Sequence, residues 1–506
     1  MAQGVLPIQY EADGSSSGVT ALGGLLVYLD LIKVSGLFDA IKKYVAVSGK
    51  QGWLDLQMML ALIFLNLAGG DCVDDLERLE HDGGLALILR DIERFVLTRK
   101  ERQAMTARWR RERTRTLPSP SSMSEWLERF HNPDEEALRE KGKAFIPAMT
   151  EHLRSLWRVN RDLLGFVQRH RPETVATLDM DATLVESHKR QALWCYKKFK
   201  AYQPLNCWWA EQGVMVHSEF RDGNVPAGHE QLRVLRTCLD EVAALGVGKV
   251  CLRSDSAGYQ QDLLLYCGEG KDERFGVIDF AVSADVTAEF RKAAQDVKDA
   301  DWQRLVRRFA DGTGIETDQE WAEVCFVPGW AGHGKKRADY RFLAIREPLR
   351  QLDLGDAQQL PFPTEEFGAK GRFKLFGVVT NRKVSGDQVI WWHRERCGKS
   401  EEVHSVMKSD LAGGQMPSGL FGANAAWWTI MILAHNLNAA MKRLVLGPAW
   451  VAKRMKALRF ALINLPGRVV HHARKLIIRL SAVGDTLALL LSARRTILAL
   501  AQGPDG

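Results

Sequence analysis

The chain has 506 residues, a formal net charge of +7 and 46% hydrophobic residues, a length that predicts several domains and an ordinary composition that excludes a globally disordered, collagen-like or coiled-coil protein. The longest apolar stretch, Met58 to Gly70, is too short for a membrane-spanning helix, and the N-terminus lacks the pattern of a secretory signal. The eight cysteines are scattered and form no CxxC pair, which argues against a zinc site or a disulfide framework and favours a reducing cytoplasm.

The first 165 residues are predicted to be all-helical. From Thr20 to Leu97, apolar residues recur every three to four positions, which is typical of helices that bury one face. The pattern predicts one helix over 55–68 and a second over 73–89, separated by Gly69-Gly70. The motif TLPSPSS at 116–122 interrupts the helical region before further helices begin.

The pattern changes at Thr174. The segment VATLDMDATLV alternates apolar and polar residues, as a β-strand with one buried face does. Two further strands, a helix, a strand, a helix and a strand are predicted in order up to Val282. Residues 372–380 and 388–393 are also strand-like, and the chain from Ser400 to its end is predicted to be mostly helical. The central region is therefore α/β.

Basic residues concentrate in two segments of an otherwise acidic chain. Residues 99–115 contain eight basic and two acidic side chains, and residues 441–480 contain ten basic and no acidic ones. Uncompensated positive charge repels itself, and a phosphate backbone relieves that repulsion. A solvated helix surface is the alternative. The DNA-binding candidates in these segments are Arg110, Arg111, Lys453, Arg454, Lys456, Arg474 and Lys475.

Acidic residues occupy three positions that are costly for a carboxylate. Asp179 and Asp181 share one face of a predicted strand, Asp255 lies just after the predicted strand that ends at Arg253, and Glu401 is the second residue of the helical motif SEEVHSVMK. Taken singly, each has an ordinary alternative: a solvated strand face, a helix N-cap and a capped surface helix. Together they can converge on a site for hard cations, where two Mg²⁺ ions would activate a phosphodiester for attack.

The sequence at these positions resembles a known family. LDMDATLVESHKR, RSDSAGY and RCGKSEEVHSVMK are similar to the three signatures of DDE transposases with an RNase-H-like core, and the flanking helical segments resemble the insertion sequence 1380 family. The resemblance implies that Asp181, Asp255 and Glu401 are catalytic and bind metal, with Asp179 as the alternative to Asp181. It also implies that Arg396 and Lys408 contact phosphates near the cleaved DNA end.

The resemblance also implies a domain layout. It predicts an α/β RNase-H-like catalytic core, a mixed sheet flanked by helices, with a β-rich insertion, an all-helical N-terminal region and a helical C-terminal region. The expected boundaries are 1–165 for DNA binding and dimerisation, 166–283 and 372–425 for the core, 284–371 for the insertion and 426–506 for the basic C-terminal region. In the insertion, Trp302, Trp321 and Trp330 are candidates for stacking on a flipped base.

The function implied is that of a DNA transposase which cuts and pastes its own insertion sequence. The expected partners are double-stranded DNA, comprising the terminal inverted repeats and the target, and a second copy of the chain in a homodimer on DNA. The expected cofactor is Mg²⁺, two ions, with Mn²⁺ as a substitute, and the expected location is the bacterial cytoplasm at the nucleoid. The alternatives are a two-metal, structure-specific DNA nuclease on the same fold and a catalytically silent, domesticated DNA-binding protein.

Overall fold

The computed structural model describes residues 18–309, 311–331, 340–349, 364–472, 475–481 and 484–502. The helices are α1 Leu26–Val34, α2 Leu37–Tyr44, α3 Asp55–Ala68, α4 Leu76–Glu80, α5 Gly83–Val96, α6 Arg99–Ala107, α7 Pro120–Glu128, α8 Pro133–Ala137, α9 Glu151–His170, α10 Gln231–Ala244, α11 Gln261–Gly268, α12 Ala288–Gln295, α13 Gly386–Arg394, α14 Lys399–Ser405, α15 Phe421–Ala440, α16 Pro448–Val451, α17 Met455–Leu458 and α18 Asp485–Ala501.

The strands are β1 Val19–Thr20, β2 Val175–Ala182, β3 Val185–Glu186, β4 Leu193–Trp194, β5 Lys200–Tyr202, β6 Leu205–Trp209, β7 Val214–Glu219, β8 Lys249–Ser254, β9 Asp279–Ala284, β10 Gln303–Arg308, β11 Gly314–Val324, β12 Arg341–Pro348, β13 Thr364–Glu366, β14 Arg372–Thr380, β15 Gly467–His472 and β16 Lys475–Leu480. The chain divides into two compact units. The first contains residues 1–137, 148–166 and 406–506, and the second contains 138–147 and 167–405.

Helix α15 forms the centre of the first unit. Its sequence is apolar on all sides, and nearly all of its residues are buried, as expected for a helix surrounded by other elements. Two of the asparagines it carries form hydrogen bonds inside the unit. Asn436 Nδ2 donates to Asn160 Oδ1 at 2.8 Å, and Tyr28 OH donates to Asn438 Oδ1 at 2.8 Å. These buried hydrogen bonds offset the cost of placing amide side chains in the core.

The C-terminal region is mostly helical, as predicted, but it also contains a β-hairpin that the sequence did not predict. Strands β15 and β16 pair antiparallel, and β1 pairs with β15, so the predicted all-helical N-terminal region also contributes a short strand. The physical reason is a two-residue alternation in the hairpin. Val469 is buried on one face, while Arg468, Lys475 and Arg479 are exposed on the other. Arg474 lies outside the described residues.

The second unit is built on a mixed sheet flanked by helices, as predicted. The strand order is β10-β11-β12-β14-β9-β8-β2-β6-β7, with β13 paired to β14. Strand β6 pairs antiparallel with both β2 and β7, whereas β8 pairs parallel with both β2 and β9. The predicted series of three strands, helix, strand, helix, strand is therefore confirmed. A small three-stranded sheet, β3-β5-β4, lies between β2 and β6 in the chain.

The segment predicted as a β-rich insertion does contain strands, and these continue the main sheet. Strand β14 pairs with β9 and with β12, so β10, β11 and β12 extend the same sheet. The predicted strand at 388–393 is wrong, because these residues belong to helix α13. Val389, Ile390 and His393 are buried together, a spacing that suits one helical face. The five-part division of the chain stays a prediction.

None of the helices in the described ranges is long and apolar enough to cross a membrane by itself. Helix α3 reaches the length and apolar composition of a membrane span only together with Val73–Glu80, and the two segments are bent by 94° relative to each other.

Because three histidines are buried, we expect acid to destabilise the protein. Burial lowers the pKa of His217 to about 4, that of His393 to about 4 and that of His435 to about 3. Each is therefore neutral in the fold but protonates near pH 6.5 once unfolded. Their stabilising contribution is complete above pH 6.5 and is lost as the pH falls towards 4, by on the order of 2–3 kcal/mol per histidine.

Urea unfolding between pH 8 and pH 4 measures this effect, and we expect the free energy of unfolding to fall mainly below pH 6.5. The variant His393→Asn, which keeps a polar side chain that cannot ionise, should show a shallower dependence on pH. A free energy of unfolding that stays constant from pH 7 to pH 5 would contradict the prediction.

Candidate active site

Asp181 and Asp255 lie at matching positions on neighbouring parallel strands. Met180 in β2 is the register partner of Ser254 in β8, and each aspartate is the next residue along its chain. Ser254 Oγ donates to the Met180 carbonyl oxygen at 3.1 Å, which ties the two strand ends together. Carboxyl ends of adjacent parallel strands share one sheet edge, so both aspartates lie at that edge. Asp255 also acts as an N-cap, because its Oδ1 accepts the Ala257 N–H at 3.0 Å.

Helix α14 is attached to the same edge through His404. The His404 ring Nε2 is 3.0 Å from Asn206 Nδ2, and Asn206 Oδ1 accepts a 2.6 Å hydrogen bond from Ser218 Oγ. Asn206 is the register partner of Asp181 across β2 and β6. Glu401 precedes His404 by three residues and so lies on a neighbouring position of the helix surface. In this conformation the Glu401 carboxylate accepts a hydrogen bond from the Gly398 N–H.

The electrostatics of Asp181 link it to the other two predicted carboxylates. The pKa of Asp181 is raised to about 6, mainly by burial and also by the charges of Asp255 and Glu401, while Arg396 opposes the rise. Arg396 Nη1 donates to Asp181 Oδ2 at 3.1 Å, and its Nε–H is buried without a hydrogen-bond partner. The structure therefore brings together Asp181, Asp255, Glu401 and Arg396 as a cluster of three acids and one base.

Asp179 has a different environment from Asp181. Arg253 binds it through two hydrogen bonds, Nε to Oδ1 at 2.6 Å and Nη2 to Oδ2 at 2.9 Å, and both side chains are 3% exposed or less. Arg253 also donates to Glu395 at 3.0 Å and to the Trp392 carbonyl oxygen at 2.8 Å. Burial raises the pKa of Asp179, and the Arg253 guanidinium opposes that rise. Asp179 is thus engaged in a buried ion pair that connects β2, β8 and α13.

The sequence interpretation missed this ion pair and the His404 contact. Arg253 is the first residue of the motif RSDSAGY and follows three apolar residues near the end of a predicted strand. A charged residue at that position was the signal that the sequence contained. Burial of His404 had no sequence signal, because a histidine in a short helix is equally common on a surface. Both residues position the site without carrying one of its carboxylates.

Lys408 lies beyond the helix that carries Glu401. Helix α14 ends at Ser405, and Val406–Asp410 form a π-helical turn in the first unit. A π-helical turn changes the angular spacing of side chains, so Lys408 does not continue the α-helical spacing that begins at Glu401. Its phosphate contact stays a prediction.

Two of the three tryptophan candidates are buried in their own unit. The Arg346 guanidinium lies 4.0 Å from the Trp302 ring centre, where that ring forms part of an aromatic cage. Trp321 packs so closely that a Cβ on Gly386 would lie 2.1 Å from its ring. Base stacking on these two rings is therefore excluded in this conformation. Trp330 is half-buried, and its ring centre is 6.0 Å from that of Tyr259, four residues beyond Asp255.

Many charges of the two basic segments are used inside the first unit, contrary to the prediction. Arg454 forms a two-point ion pair with the buried Asp410, at 2.8 and 2.9 Å, and Arg459 donates to the carbonyl oxygen of Leu67 at 2.9 Å. In the first segment, Arg108 and Arg113 make comparable internal contacts. The interpretation counted charges along the sequence and could not include partners such as Asp410. The exposed candidates are Arg110, Arg111, Lys453, Arg454, Lys456 and Lys475, and of these Arg454 and Lys456 are paired with Asp410.

A divalent cation fits the site by its chemistry, although not as a preformed ligand cage. Within the described parts of the chain, no three His, Cys, Asp or Glu side chains are grouped closely enough to hold a metal ion. Asp181 is paired with Arg396, and Glu401 accepts from its own helix start. Three carboxylates and one guanidinium, that of Arg396, nevertheless leave the site with excess negative charge. A divalent cation that prefers oxygen ligands would offset this charge.

Comparison with known proteins identifies the class. The family described as transposase DDE domain group 1 matches residues 4–502, and the chain therefore belongs to this family of DDE transposases. Such proteins are DNA-transposition enzymes that generally use divalent metal ions. The family prediction is confirmed at this level, while the insertion sequence 1380 assignment stays a prediction.

Similarity to individual proteins is weaker. No curated protein sequence matches the chain. Among solved structures, the chain is similar to the piggyBac transposase in a cryo-EM structure of its synaptic complex with hairpin DNA. The TM-score is 0.40 and the sequence identity is 12%, over 88% of this chain and 81% of that chain.

Proposed function

We propose that this chain is the transposase of an insertion sequence. It binds the terminal inverted repeats, cleaves the DNA at both ends and joins those ends to a target. The observation that carries the proposal is the raised pKa of Asp181, to which the charges of Asp255 and Glu401 contribute, in a member of a DDE transposase family. The insertion sequence 1380 family is the proposed subgroup, on the resemblance of the three signatures and their helical flanks.

The proposed catalytic core is RNase-H-like. The order β7-β6-β2-β8-β9, with the first three strands antiparallel and β8 and β9 parallel to β2, supports this assignment. Such a core presents its acids at the carboxyl ends of the central strands. The positions of Asp181 at the end of β2 and Asp255 directly after β8 agree with it.

The proposed roles follow from the contacts at the site. Asp181, Asp255 and Glu401 would hold two Mg²⁺ ions, for which Mn²⁺ can substitute, and Arg396 and Lys408 would bind phosphate oxygens of the DNA. Bound ions supply polarisation of the scissile phosphate and activation of the attacking hydroxyl. A cation held by Asp181 would compete with its ion pair to Arg396, and the Arg396 guanidinium would then be available to bind a phosphate.

Trp330 is the proposed base-stacking residue. It is only half-buried, and it contacts Tyr259 in the loop that carries Asp255. A ring at that position lies close to where a DNA end would be processed, so stacking there would lower the cost of unpairing a base.

The proposed assembly is a homodimer on DNA, because two transposon ends must be cut and joined together. The helical N-terminal region is the proposed end-recognition element. Light scattering of the protein with end DNA measures the stoichiometry, and a single chain on each isolated end throughout the reaction would exclude the dimer.

Strand transfer in vitro tests the proposed function. Purified protein, a pre-cut terminal repeat and a plasmid target are incubated with Mg²⁺, and we expect covalent joining of the end to the plasmid. A structure-specific nuclease would cleave DNA without joining, and a silent DNA-binding protein would do neither. Either of these outcomes would refute the proposal.

The exposed basic residues should determine how DNA binding depends on salt. Each phosphate contact that is removed lowers the slope of log K against log salt by about one unit. We therefore expect the double variants Arg110→Ala/Arg111→Ala and Lys453→Ala/Lys475→Ala each to lower the slope by about two units. Fluorescence anisotropy at several salt concentrations measures the slope.

The matched control is Lys33→Ala/Lys50→Ala, which removes two exposed lysines of the first unit that lie outside both segments. It should leave the slope unchanged. If all three double variants behave alike, the basic segments are solvated surfaces and the DNA contacts lie elsewhere.

A further inference from the structure

The hairpin between β3 and β6 exposes two large aromatic side chains. Trp194 is 63% exposed and Tyr196 is 72% exposed, both close to the turn that joins β4 to β5. Lys197 and Lys198 follow directly and are also exposed, and Lys197 Nζ lies 5.8 Å from the Tyr196 ring centre. Exposed aromatic rings beside cations are unfavourable for a surface that only meets water, and they are typical of binding surfaces. We call residues 189–200 the aromatic hairpin.

A large cavity connects the aromatic hairpin with the candidate active site. Its volume is about 620 Å³, and Trp194, Tyr196 and Asp255 all line it. Pockets that bind small organic groups commonly measure about 300–1,000 Å³. A ligand that contacts the two rings therefore also reaches the wall that carries a proposed catalytic carboxylate.

The same cavity is lined by two amide side chains whose oxygen atoms accept no hydrogen bond, although Asn224 Nδ2 donates to the Lys143 carbonyl oxygen at 3.0 Å. Gln203 and Asn224 line it, and the buried atoms Gln203 Oε1 and Asn224 Oδ1 accept no hydrogen bond within the protein. Gln203 is only 4% exposed. Buried acceptors of this kind need a donor, and the N–H groups of nucleobases supply one.

The hairpin turn contains an uncommon backbone conformation at Lys198. Lys198 has φ of 66°, in the left-handed region that residues other than glycine seldom adopt. Two hydrogen bonds hold the turn, Lys198 N–H to the Cys195 carbonyl at 2.9 Å and Cys195 N–H to the Phe199 carbonyl at 2.8 Å. Strained backbone of this type is retained mainly where it serves a site.

We propose that the aromatic hairpin and its cavity bind unpaired nucleotides of a DNA strand next to Asp255. Trp194 and Tyr196 stack on bases, Lys197 and Lys198 bind phosphates, and the Gln203 and Asn224 amides bind base edges. Aromatic stacking combined with a cationic surface is the general way in which proteins hold single strands. The inference rests on the proposed function and deepens it, since it assigns the single-stranded part of the substrate to a surface distinct from Trp330.

Binding of a generic overhang by the full-length protein tests this inference. The probe is a DNA duplex without terminal-repeat sequence that ends in about five unpaired nucleotides, one of them 2-aminopurine, whose fluorescence falls on stacking. A blunt duplex of equal charge is the reference. We expect the wild type to prefer the overhang, and Trp194→Ala and Tyr196→Ala each to weaken overhang binding by roughly 5- to 100-fold. Blunt-duplex affinity should not change.

Two further variants separate stacking from other effects. Tyr196→Phe keeps the ring and should retain both the affinity and the fluorescence change. Phe460→Ala removes an aromatic residue that is 87% exposed elsewhere in the chain and should have no effect. All these positions are on the surface, so the variants are expected to fold.

The inference is wrong if the wild type binds both duplexes equally, or if the double variant Trp194→Ala/Tyr196→Ala keeps the preference and the fluorescence change. Since the probe carries no terminal repeat and the assay needs no metal, its result is independent of catalysis. Overhang binding without strand transfer would refute the proposed function and leave the surface in place. Strand transfer with unaffected hairpin variants would refute only the inference.

Discussion

The substitutions Asp181→Asn, Asp255→Asn and Glu401→Gln should each reduce DNA cleavage and strand transfer by on the order of 10³-fold or more. Each removes a carboxylate charge that is proposed to hold a divalent cation, and such a cation stabilises the transition state by several kcal/mol. Binding of end DNA should change by no more than about threefold, since bound DNA is held mainly by basic side chains. Gel assays of cleavage and anisotropy measurements of binding determine the two effects separately.

Glu402→Gln is the matched control for Glu401→Gln, because both glutamates are exposed in the first turn of α14. It should retain activity near that of the wild type. If instead Glu402→Gln is inactive and Glu401→Gln cleaves normally, the third carboxylate is Glu402. An inactive Asp179→Asn together with an active Asp181→Asn would show that Asp179 is the first one.

Asp179→Ala should destabilise the fold by about 3–5 kcal/mol, because it leaves the Arg253 guanidinium buried without its main partner. Chemical unfolding measures the change. The double variant Asp179→Ala/Arg253→Met removes both charges and should recover much of the lost stability, as expected when a buried ion pair is replaced as a whole. A loss below about 1 kcal/mol for Asp179→Ala would show that the pair is not structural.

Asp181→Asn should have the opposite effect on stability. The pKa of Asp181 is raised to about 6, above the value of an exposed aspartate near 4, so between these values the folded state binds more protons than the unfolded state. Stability therefore falls as the pH rises through this window. In metal-free protein above pH 6, the neutral asparagine avoids this loss and should stabilise the fold by on the order of 2–3 kcal/mol.

The comparison of wild type and Asp181→Asn at pH 8 and pH 4, with a chelator present, checks the sign. The difference should be large at pH 8 and small at pH 4, where Asp181 is protonated in the folded state and about half protonated in the unfolded state. If Asp181→Asn is less stable than the wild type at pH 8, the charge of Asp181 is compensated by Arg396 more fully than its raised pKa indicates.

The sequence by itself determined the local order of elements wherever periodicity was strong. The alternation around Asp179 and Asp181, the apolar strand before Asp255 and the helical motif around Glu401 predicted where each acid lies on its element. The order of strands and helices in the central region followed from the same patterns, whereas the mixed sheet was implied by the family resemblance. These features depend on the spacing of neighbouring residues, which the sequence contains directly.

Tertiary structure alone decided which charges are available. Three ion pairs show this: Arg253 with Asp179, Arg454 with Asp410, and Arg396 with Asp181. The two partners are 74, 44 and 215 residues apart in the chain, respectively. Burial of Trp302 and Trp321 and exposure of the aromatic hairpin were equally invisible in composition. The reason is physical: the cost of a charge or the availability of a ring depends on solvent and on partners brought together by folding, not on the residues beside it in the chain.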